Sequence, residues 1–242
     1  MKRFLLAFFL LLCILVTYEY LTLPDVSSLL KENPKTTALM KQREAEARVK
    51  GKKATIHQTW VAYTLISSTL KSAILIGEDD AFYQHEGYDL GQIKESFLKN
   101  WERKRLARGA STITQQLAKN LYLSTSKSPL RKLREFLIAR RLEEGLSKRR
   151  IFEIYLNVIE WGDGIYGAEA ASRTYFRKAA RDLTIREAAL LAASIPNPRH
   201  MNPGHMTRGL QNRLEIILSR MVQRHQMSTE EYQQALKTES KS

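Results

Sequence analysis

The segment with the strongest structural signal in this chain reads Gly109-Ala110-Ser111-Thr112-Ile113-Thr114-Gln115-Gln116-Leu117-Ala118-Lys119-Asn120. Helical spacing places Ile113, Leu117 and Leu121 on one apolar stripe. The same spacing groups four polar residues on the other side of the helix: Thr112, Gln115, Gln116 and Lys119. Thr112 and Gln115 fit a capping box, so we expect a helix that begins here with its amide-rich positive end exposed.

The polar side of this predicted helix has an unusual composition. A solvated face is the commonest explanation of polar residues at helical spacing, but such faces favour Glu, Lys and Ala. Here β-branched residues precede two amides and one ammonium group. Hydroxyls, amides and a cation at a helix start suit a phosphate-bearing ligand, so the sequence favours a binding face.

The rest of the chain is mainly helical by its periodicity. From Trp60 onward apolar residues recur at helical spacing, and residues 151, 154, 155 and 158 form one stripe. Capping boxes are predicted to open helices at Thr184 and at Ser228, the first of which Pro196 ends. No alternating strand pattern of useful length occurs, so the predicted fold class is mainly α.

Four further segments carry distinctive patterns. They read EDDAFYQHEG at 78–87, RKLRE at 131–135, KRRIFEIYLN at 148–157 and GIYGAEAASRTYF at 164–176. Together with 109–120 they resemble, in order, the signatures of the family-51 peptidoglycan glycosyltransferases: EDxxFxxHxG, GxSTITQQLxKN, RKxxE, KxxILxxYLN and GxxGxxxAxxxYF. Phe152 stands where Leu is usual. The resemblance spans roughly residues 60–200.

This resemblance implies both a fold and an activity. The fold would be a lysozyme-like glycosyltransferase lobe with a smaller membrane-proximal lobe, preceded by one transmembrane helix. The enzyme would polymerise lipid II into linear glycan strands by inverting transfer of the lipid-linked chain to a 4-hydroxyl, releasing undecaprenyl pyrophosphate. Because the chain has 242 residues and no Lys-Thr-Gly, we expect no transpeptidase domain.

The resemblance assigns the catalytic base to the first carboxylate of the ED motif, Glu78. It follows the apolar run Ile74 to Ile76, so desolvation should raise its pKa. The second carboxylate, Asp79, is expected to pair with a nearby arginine instead. Phe82 and His85 are expected to pack and to hold a turn, in which Gly87 adopts a backbone conformation that other residues avoid.

Glu135 is the second candidate catalytic carboxylate. As an i, i+4 pair with Arg131 it could be an ordinary surface ion pair contributing about 0.3–0.5 kcal/mol. The resemblance instead implies that Glu135 assists leaving-group departure, directly or through a divalent cation, Mg or Mn, on the pyrophosphate. No organic cofactor is implied. The implied substrate-binding residues are Ser111, Thr112, Gln115, Gln116, Lys119, Asn120, Lys127, Arg131 and Arg134.

The N-terminus predicts a membrane anchor. Lys2 and Arg3 precede an apolar stretch to Pro24 that is about 20 residues long if Glu19 snorkels to the interface. A cleaved signal peptide is the alternative, but no A-x-A-like site follows. The N-terminal cations favour a single-pass protein of the bacterial cytoplasmic (inner) membrane with its catalytic domain outside. The expected divisions are 1–23 anchor, 24–55 connector with a helix from Thr37 to Val49, and 56–242 glycosyltransferase domain.

The basic charge is concentrated near the motifs. The chain carries a net charge of +14, and residues 101–150 alone hold 14 Lys or Arg against four acidic residues. Nucleic acid would be the usual partner, but no nucleic-acid-binding motif occurs. A membrane surface and a pyrophosphate substrate explain the same charge. The expected partners are lipid II, the growing lipid-linked glycan, the membrane, and cell-division or other wall-synthesis proteins.

Two other functions fit parts of the sequence. Paired carboxylates in a lysozyme-like fold could cleave glycan, although a cleaving enzyme has no pyrophosphate to bind. A non-catalytic scaffold could keep the fold, although both carboxylates and the polar helix face are intact.

The lone Cys13 lies in the apolar run, so a disulfide or a cysteine zinc site in the outer domain is excluded.

Overall fold

The structure, a computed structural model, describes residues 2–89, 91, 111–126 and 128–237. Two sequence expectations therefore fall outside the described residues: the Gly109-Ala110 start of the first motif and the substrate-binding role of Lys127. Within the described residues the chain is mainly helical, as predicted. The helices are α1 Lys2–Leu21, α2 Ala38–Val49, α3 Ser68–Glu78, α4 Ile113–Tyr122, α5 Pro129–Gly145, α6 Lys148–Val158, α7 Ala168–Phe176, α8 Ile185–Ser194, α9 Arg208–Gln223 and α10 Thr229–Lys237.

Four of these helices begin at side-chain caps where the sequence predicts a helix start. Thr112 caps α4 by accepting the amide of Gln115, and Thr37 caps α2 in the same way. At α8 the predicted capping box is complete, since Thr184 and Glu187 bond each other's backbone amides. Ser228 and Glu231 do the same at α10. Such caps satisfy amides that a helix start leaves without partners.

Three short strands accompany the helices and were not predicted. They are β1 His57–Gln58, β2 Glu160–Gly162 and β3 Ile165–Tyr166. The order is β1-β3-β2, with β3 parallel to β1 and antiparallel to β2. Gly164 turns the chain between β2 and β3 at φ +73°, and a Cβ there would lie 2.1 Å from the Thr55 carbonyl oxygen. Strands this short leave no alternating pattern to read.

The core lies where two groups of helices meet. Helix α8 packs against α3 and α9, while α4 packs against α2, α5 and α6. The fully buried side chains include Leu70, Ile74, Ile113 and Leu117, so the predicted apolar stripe of α4 faces inward. All four residues of the α6 stripe are buried as well. This packing sets the end of α3 beside the polar side of α4.

Helix α1 has the length and composition of a membrane span. Arg3–Leu21 has a mean hydropathy of 2.3 and is almost entirely exposed, and it alone among the described helices passes this test. Twenty helical residues extend about 30 Å, the thickness of the hydrocarbon core. Glu19 does not snorkel as expected, because it is 3% exposed and pairs with Arg134 on α5 at 2.9 Å.

Candidate active site

Glu78 ends helix α3 and points into the gap between α3, α4 and α9. Its carboxylate is 11% exposed. Gln116 Nε2 on α4 donates to Oε2 at 3.0 Å, and Arg213 on α9 lies 3.1 Å from Oε1. Burial raises the pKa of Glu78, although the Gln116 hydrogen bond and the Arg213 charge act in the opposite direction. The predicted direction of this pKa shift is therefore confirmed.

The side chain of Gln116 is itself held by a second hydrogen bond. The Tyr155 hydroxyl on α6 donates to Gln116 Oε1 at 2.9 Å, which leaves the amide nitrogen free to donate to Glu78. Tyr155 is fully buried. A side chain held at both ends has one orientation, so Gln116 fixes one oxygen of the carboxylate and leaves the other to Arg213. Sequence analysis treated Tyr155 only as part of an apolar stripe and missed its hydroxyl.

Asp79 has a different role from the one expected. It is 1% exposed, and its partners are His85 and the backbone amide of Ile113 rather than an arginine. His85 Nδ1 accepts the amide of Gly87 at 3.2 Å, so the ring proton lies on Nε2, 2.9 Å from Asp79. The expectation of an arginine partner for Asp79 was wrong. It is Glu78 that contacts an arginine.

The start of α4 is an internal junction and not the exposed positive end that we expected. Ile113 donates its amide to Asp79 at 2.9 Å, and the Thr112 hydroxyl donates to the Gly87 carbonyl at 2.8 Å while capping the helix. Both residues are buried. The carboxylate of Asp79 thus occupies the place an anionic ligand would take. The expected turn around Phe82, His85 and Gly87 is present, with Gly87 at φ +86°.

Glu135 lies on α5, which packs against α4. It is 3% exposed and accepts from Arg131 Nη1 at 2.5 Å and from Lys132 Nζ. Lys132 also contacts Ser111 Oγ at 3.0 Å and Gln115 Oε1 at 3.5 Å. Because Glu135 is almost fully buried, the Arg131–Glu135 pair is not an ordinary surface ion pair.

Lys119 lies between the two carboxylates. Its ammonium is coupled electrostatically to Glu135, Arg131, Lys132 and Glu78, and burial lowers its pKa below the ordinary value. Glu135 and Glu78 raise that pKa, and the two neighbouring cations lower it further. Among the described residues no side chain or carbonyl oxygen accepts a hydrogen bond from this ammonium. A half-buried cation without an acceptor is suited to an anionic ligand.

The remaining predicted binding residues divide into two groups. Ser111, Gln115 and Arg131 belong to the cluster around Glu135, and the amide of Asn120, 7% exposed, makes no hydrogen bond within the described part of the chain. Arg134 lies apart: Nη1 bonds Glu19 at 2.9 Å and Nη2 bonds the Thr22 carbonyl at 3.0 Å. The structure therefore does not bring Arg134 to the cluster.

Arg213 was not found from the sequence. It lies outside every motif, and only the fold brings α9 to the end of α3. The sequence analysis also missed a group of contacts that joins α4 to α5 and α6. The Thr114 hydroxyl donates to Glu143 at 2.5 Å, and Lys148 donates to the same oxygen at 2.8 Å. Lys148 opens one of the motifs, but the sequence analysis gave it no role.

Comparison with known proteins agrees with the family resemblance seen in the sequence. Residues 44–222 match the model of a family described as Transglycosylase. A biosynthetic peptidoglycan transglycosylase of Methylobacillus flagellatus is 44% identical over 210 residues, covering 87% of this chain and 92% of its own length. One of Chromobacterium violaceum is 48% identical over 189 residues, covering 78% and 83%.

The chain is also similar to a solved structure. The crystal structure of penicillin-binding protein 1A from Haemophilus influenzae is 23% identical with a TM-score of 0.45, and the match covers 77% of this chain but only 18% of that one.

Proposed function

This chain belongs to the transglycosylase family and is a peptidoglycan transglycosylase, and from that premise we propose that it polymerises lipid II into linear glycan strands. The 4-hydroxyl of the acceptor disaccharide attacks C1 of the lipid-linked chain. The new C1–O bond forms as the bond from C1 to the pyrophosphate oxygen breaks, with inversion. The hydroxyl proton goes to a protein carboxylate, and undecaprenyl pyrophosphate leaves with the electron pair.

The observation that carries this proposal is the environment of Glu78. A general base works best when its pKa approaches the working pH, and burial moves the pKa of Glu78 in that direction. Gln116 and Arg213 hold the carboxylate in place while leaving it 11% exposed, so an acceptor hydroxyl can reach it. Glu78 is therefore the proposed base.

The leaving group is assigned to the cations around Glu135. Negative charge builds on the pyrophosphate as the C1–O bond breaks, so preorganised cations stabilise the transition state more than the ground state. Lys119 offers an ammonium that donates no hydrogen bond to the described residues, and Glu135 holds Arg131 and Lys132 near it. Ser111, Gln115 and Asn120 are proposed as additional hydrogen-bonding residues for this group.

A divalent cation on the pyrophosphate stays a prediction. The described residues contain no cluster of three His, Cys, Asp or Glu side chains, and both oxygens of Glu135 already accept hydrogen bonds from cations. These residues do not fit a resident metal site. A cation would have to arrive bound to the pyrophosphate oxygens, with Glu135 as a carboxylate that could contact it, and no step of the proposed reaction depends on it.

The membrane location is likewise proposed. Helix α1 would cross the cytoplasmic membrane once, with its N-terminus inside and the catalytic domain outside, where lipid-linked precursor is consumed. The growing glycan and the membrane are the partners that this reaction requires. Other wall-synthesis or cell-division proteins remain predicted partners.

Replacing Lys119 with Ala should weaken pyrophosphate recognition without unfolding the protein. Losing one charge-assisted contact to the pyrophosphate should cost about 1.5–3 kcal/mol, roughly 10- to 150-fold in kcat/KM. The fold should persist because the ammonium makes no hydrogen bond to the described part of the protein. The measurement is polymerisation rate, binding of a phosphoglycolipid inhibitor that mimics the growing chain, and thermal unfolding. Lys41→Ala, an exposed lysine on α2, is the matched control. Unchanged inhibitor binding would move the phosphate site away from Lys119.

The pH dependence of the rate should report Glu78. Since the base must be deprotonated and its pKa is raised, the acid limb of kcat/KM should have its midpoint above 4.5, the ordinary value for Glu. Gln116→Leu removes a hydrogen bond that lowers this pKa, so the midpoint should move to still higher pH. A limb that stays in place in Gln116→Leu would mean that another group titrates.

The stereochemistry of the product tests the proposed reaction. Nuclear magnetic resonance of polymer made from lipid II by the purified full chain should show the configuration at C1 inverted relative to the precursor. Retention would require a covalent intermediate on a protein nucleophile and would contradict the assignment of Glu78 as a base.

A further inference from the structure

The end of helix α1 is joined to helix α5 by a buried ion pair. Glu19 lies in the last turn of α1 and is 3% exposed, although most of the described side chains of that helix are apolar and exposed. Its Oε2 is 2.9 Å from Arg134 Nη1. An ionised group this buried persists only when it is paired, so the two helices have one strongly preferred register.

Two arginines of α5 extend this contact beyond the end of α1. Arg134 Nη2 donates to the Thr22 carbonyl at 3.0 Å. Arg141, seven positions along α5 and therefore on the same face, donates to the carbonyls of Leu23 and Pro24 at 3.2 and 3.4 Å. Its guanidinium carbon also lies 5.3 Å from the centroid of the Tyr20 ring.

The chain that follows α1 is also fixed to the domain. Leu23, Val26 and Leu29 are buried in the main hydrophobic core. Arg150 on α6 donates to the carbonyls of Leu29 and Glu32 at 2.8 and 2.9 Å. No free hinge therefore separates α1 from the domain over residues 22–33.

We propose that the Glu19–Arg134 pair positions the active site relative to the membrane, with α1 acting as a rigid support instead of a flexible tether. Glu135 is the residue next to Arg134 on α5, so a fixed α1 fixes the height and tilt of the leaving-group cluster. The pyrophosphate of a membrane lipid lies at headgroup depth, the level that the last turn of α1 reaches in a 30 Å span. The contact between α1 and α5 does not depend on the proposed function; only its expected effect on polymerisation rests on that function.

A double-mutant cycle separates this role from a direct phosphate contact of Arg134. If the pair positions the site, Glu19→Ala and Arg134→Ala should each lower lipid II polymerisation in vesicles about tenfold, and the double variant should lose no more than either single one. Exchanging the charges, with Glu19→Arg and Arg134→Glu together, should restore activity. Arg140→Ala, which breaks an exposed ion pair on the same helix, should leave the rate unchanged.

A distance measurement tests the positioning itself, independently of activity. In a Cys13→Ala background, a fluorophore on Val49→Cys, an 88% exposed site, would be quenched by lipids labelled at the headgroup. Quenching should be uniform in the parent and should change and broaden in Glu19→Ala and in Arg134→Ala. Thermal unfolding of each variant shows whether the domain itself is intact.

Three results would decide against the inference. A large loss in Arg134→Ala with none in Glu19→Ala would make Arg134 a phosphate ligand. Multiplicative losses in the double variant would make the two residues independent. Unchanged quenching in both single variants would overturn the positioning role, whether or not the parent protein makes polymer. Absence of polymer from the parent protein would count against the proposed function and not against the positioning role.

Discussion

Glu78→Gln should lower the rate of lipid II polymerisation by about 10²–10⁴-fold, the range that loss of a general base produces. The amide keeps the shape of the side chain and a hydrogen-bonding oxygen but cannot take the acceptor's proton. Binding of lipid II and of a phosphoglycolipid inhibitor should persist, since the cations around Glu135 are untouched. Asp80→Asn removes an exposed carboxylate two residues away and should leave the rate unchanged.

The raised pKa of Glu78 also predicts how Glu78→Gln changes the stability of the fold. Because burial raises the pKa of Glu78, the folded protein holds its proton more tightly than the unfolded chain does. Stability is therefore lost as the pH rises from the ordinary value of 4.5 through the folded pKa. Glu78→Gln should unfold at no lower a temperature than the parent at pH 7. An inactive variant with a much lower unfolding temperature would make Glu78 structural.

Glu135→Gln should also be severe, on the order of 10²-fold, because the carboxylate holds the two cations assigned to the pyrophosphate. The amide can accept from only one of them through its single oxygen. Single-turnover rates with lipid II, measured across a titration of Mg²⁺ or Mn²⁺, would check this. Glu144→Gln, an exposed carboxylate on the same helix, is the control.

The metal titration separates two roles for Glu135. If the carboxylate contacts a cation on the pyrophosphate, the variant should need more metal for half-maximal rate. A reduced rate with an unchanged titration would mean that Glu135 acts through Arg131 and Lys132. A rate near that of the parent would remove Glu135 from the catalytic group.

Local features of the fold were predictable from the sequence. The caps at Thr112, Thr184 and Ser228 and the buried stripe of α6 each depend on residues within one or two turns of each other. Helical spacing also brought the two amides and Lys119 onto one side of α4. The raised pKa of Glu78 followed from the apolar run before it.

The partners of the charged residues were not predictable, because they lie far apart in the chain. Glu78 meets Arg213 across 135 positions, and Arg134 meets Glu19 across 115. A basic chain offers many arginines to each carboxylate, so we expected an arginine beside Asp79. The phosphate role of Arg134 came from the family resemblance, which does not reveal its contact with Glu19. The prediction that the positive end of α4 is exposed was wrong for the same reason, since Asp79 reaches Ile113 only in the folded chain.

The most direct test of the account is to incubate the purified full chain with lipid II and, separately, with finished uncrosslinked glycan, and to follow polymer length by gel. We predict long glycan from lipid II, sensitive to Glu78→Gln, and no shortening of the finished glycan. Cleavage of finished glycan without polymerisation of lipid II would contradict the account and make the paired carboxylates those of a glycan-cleaving enzyme.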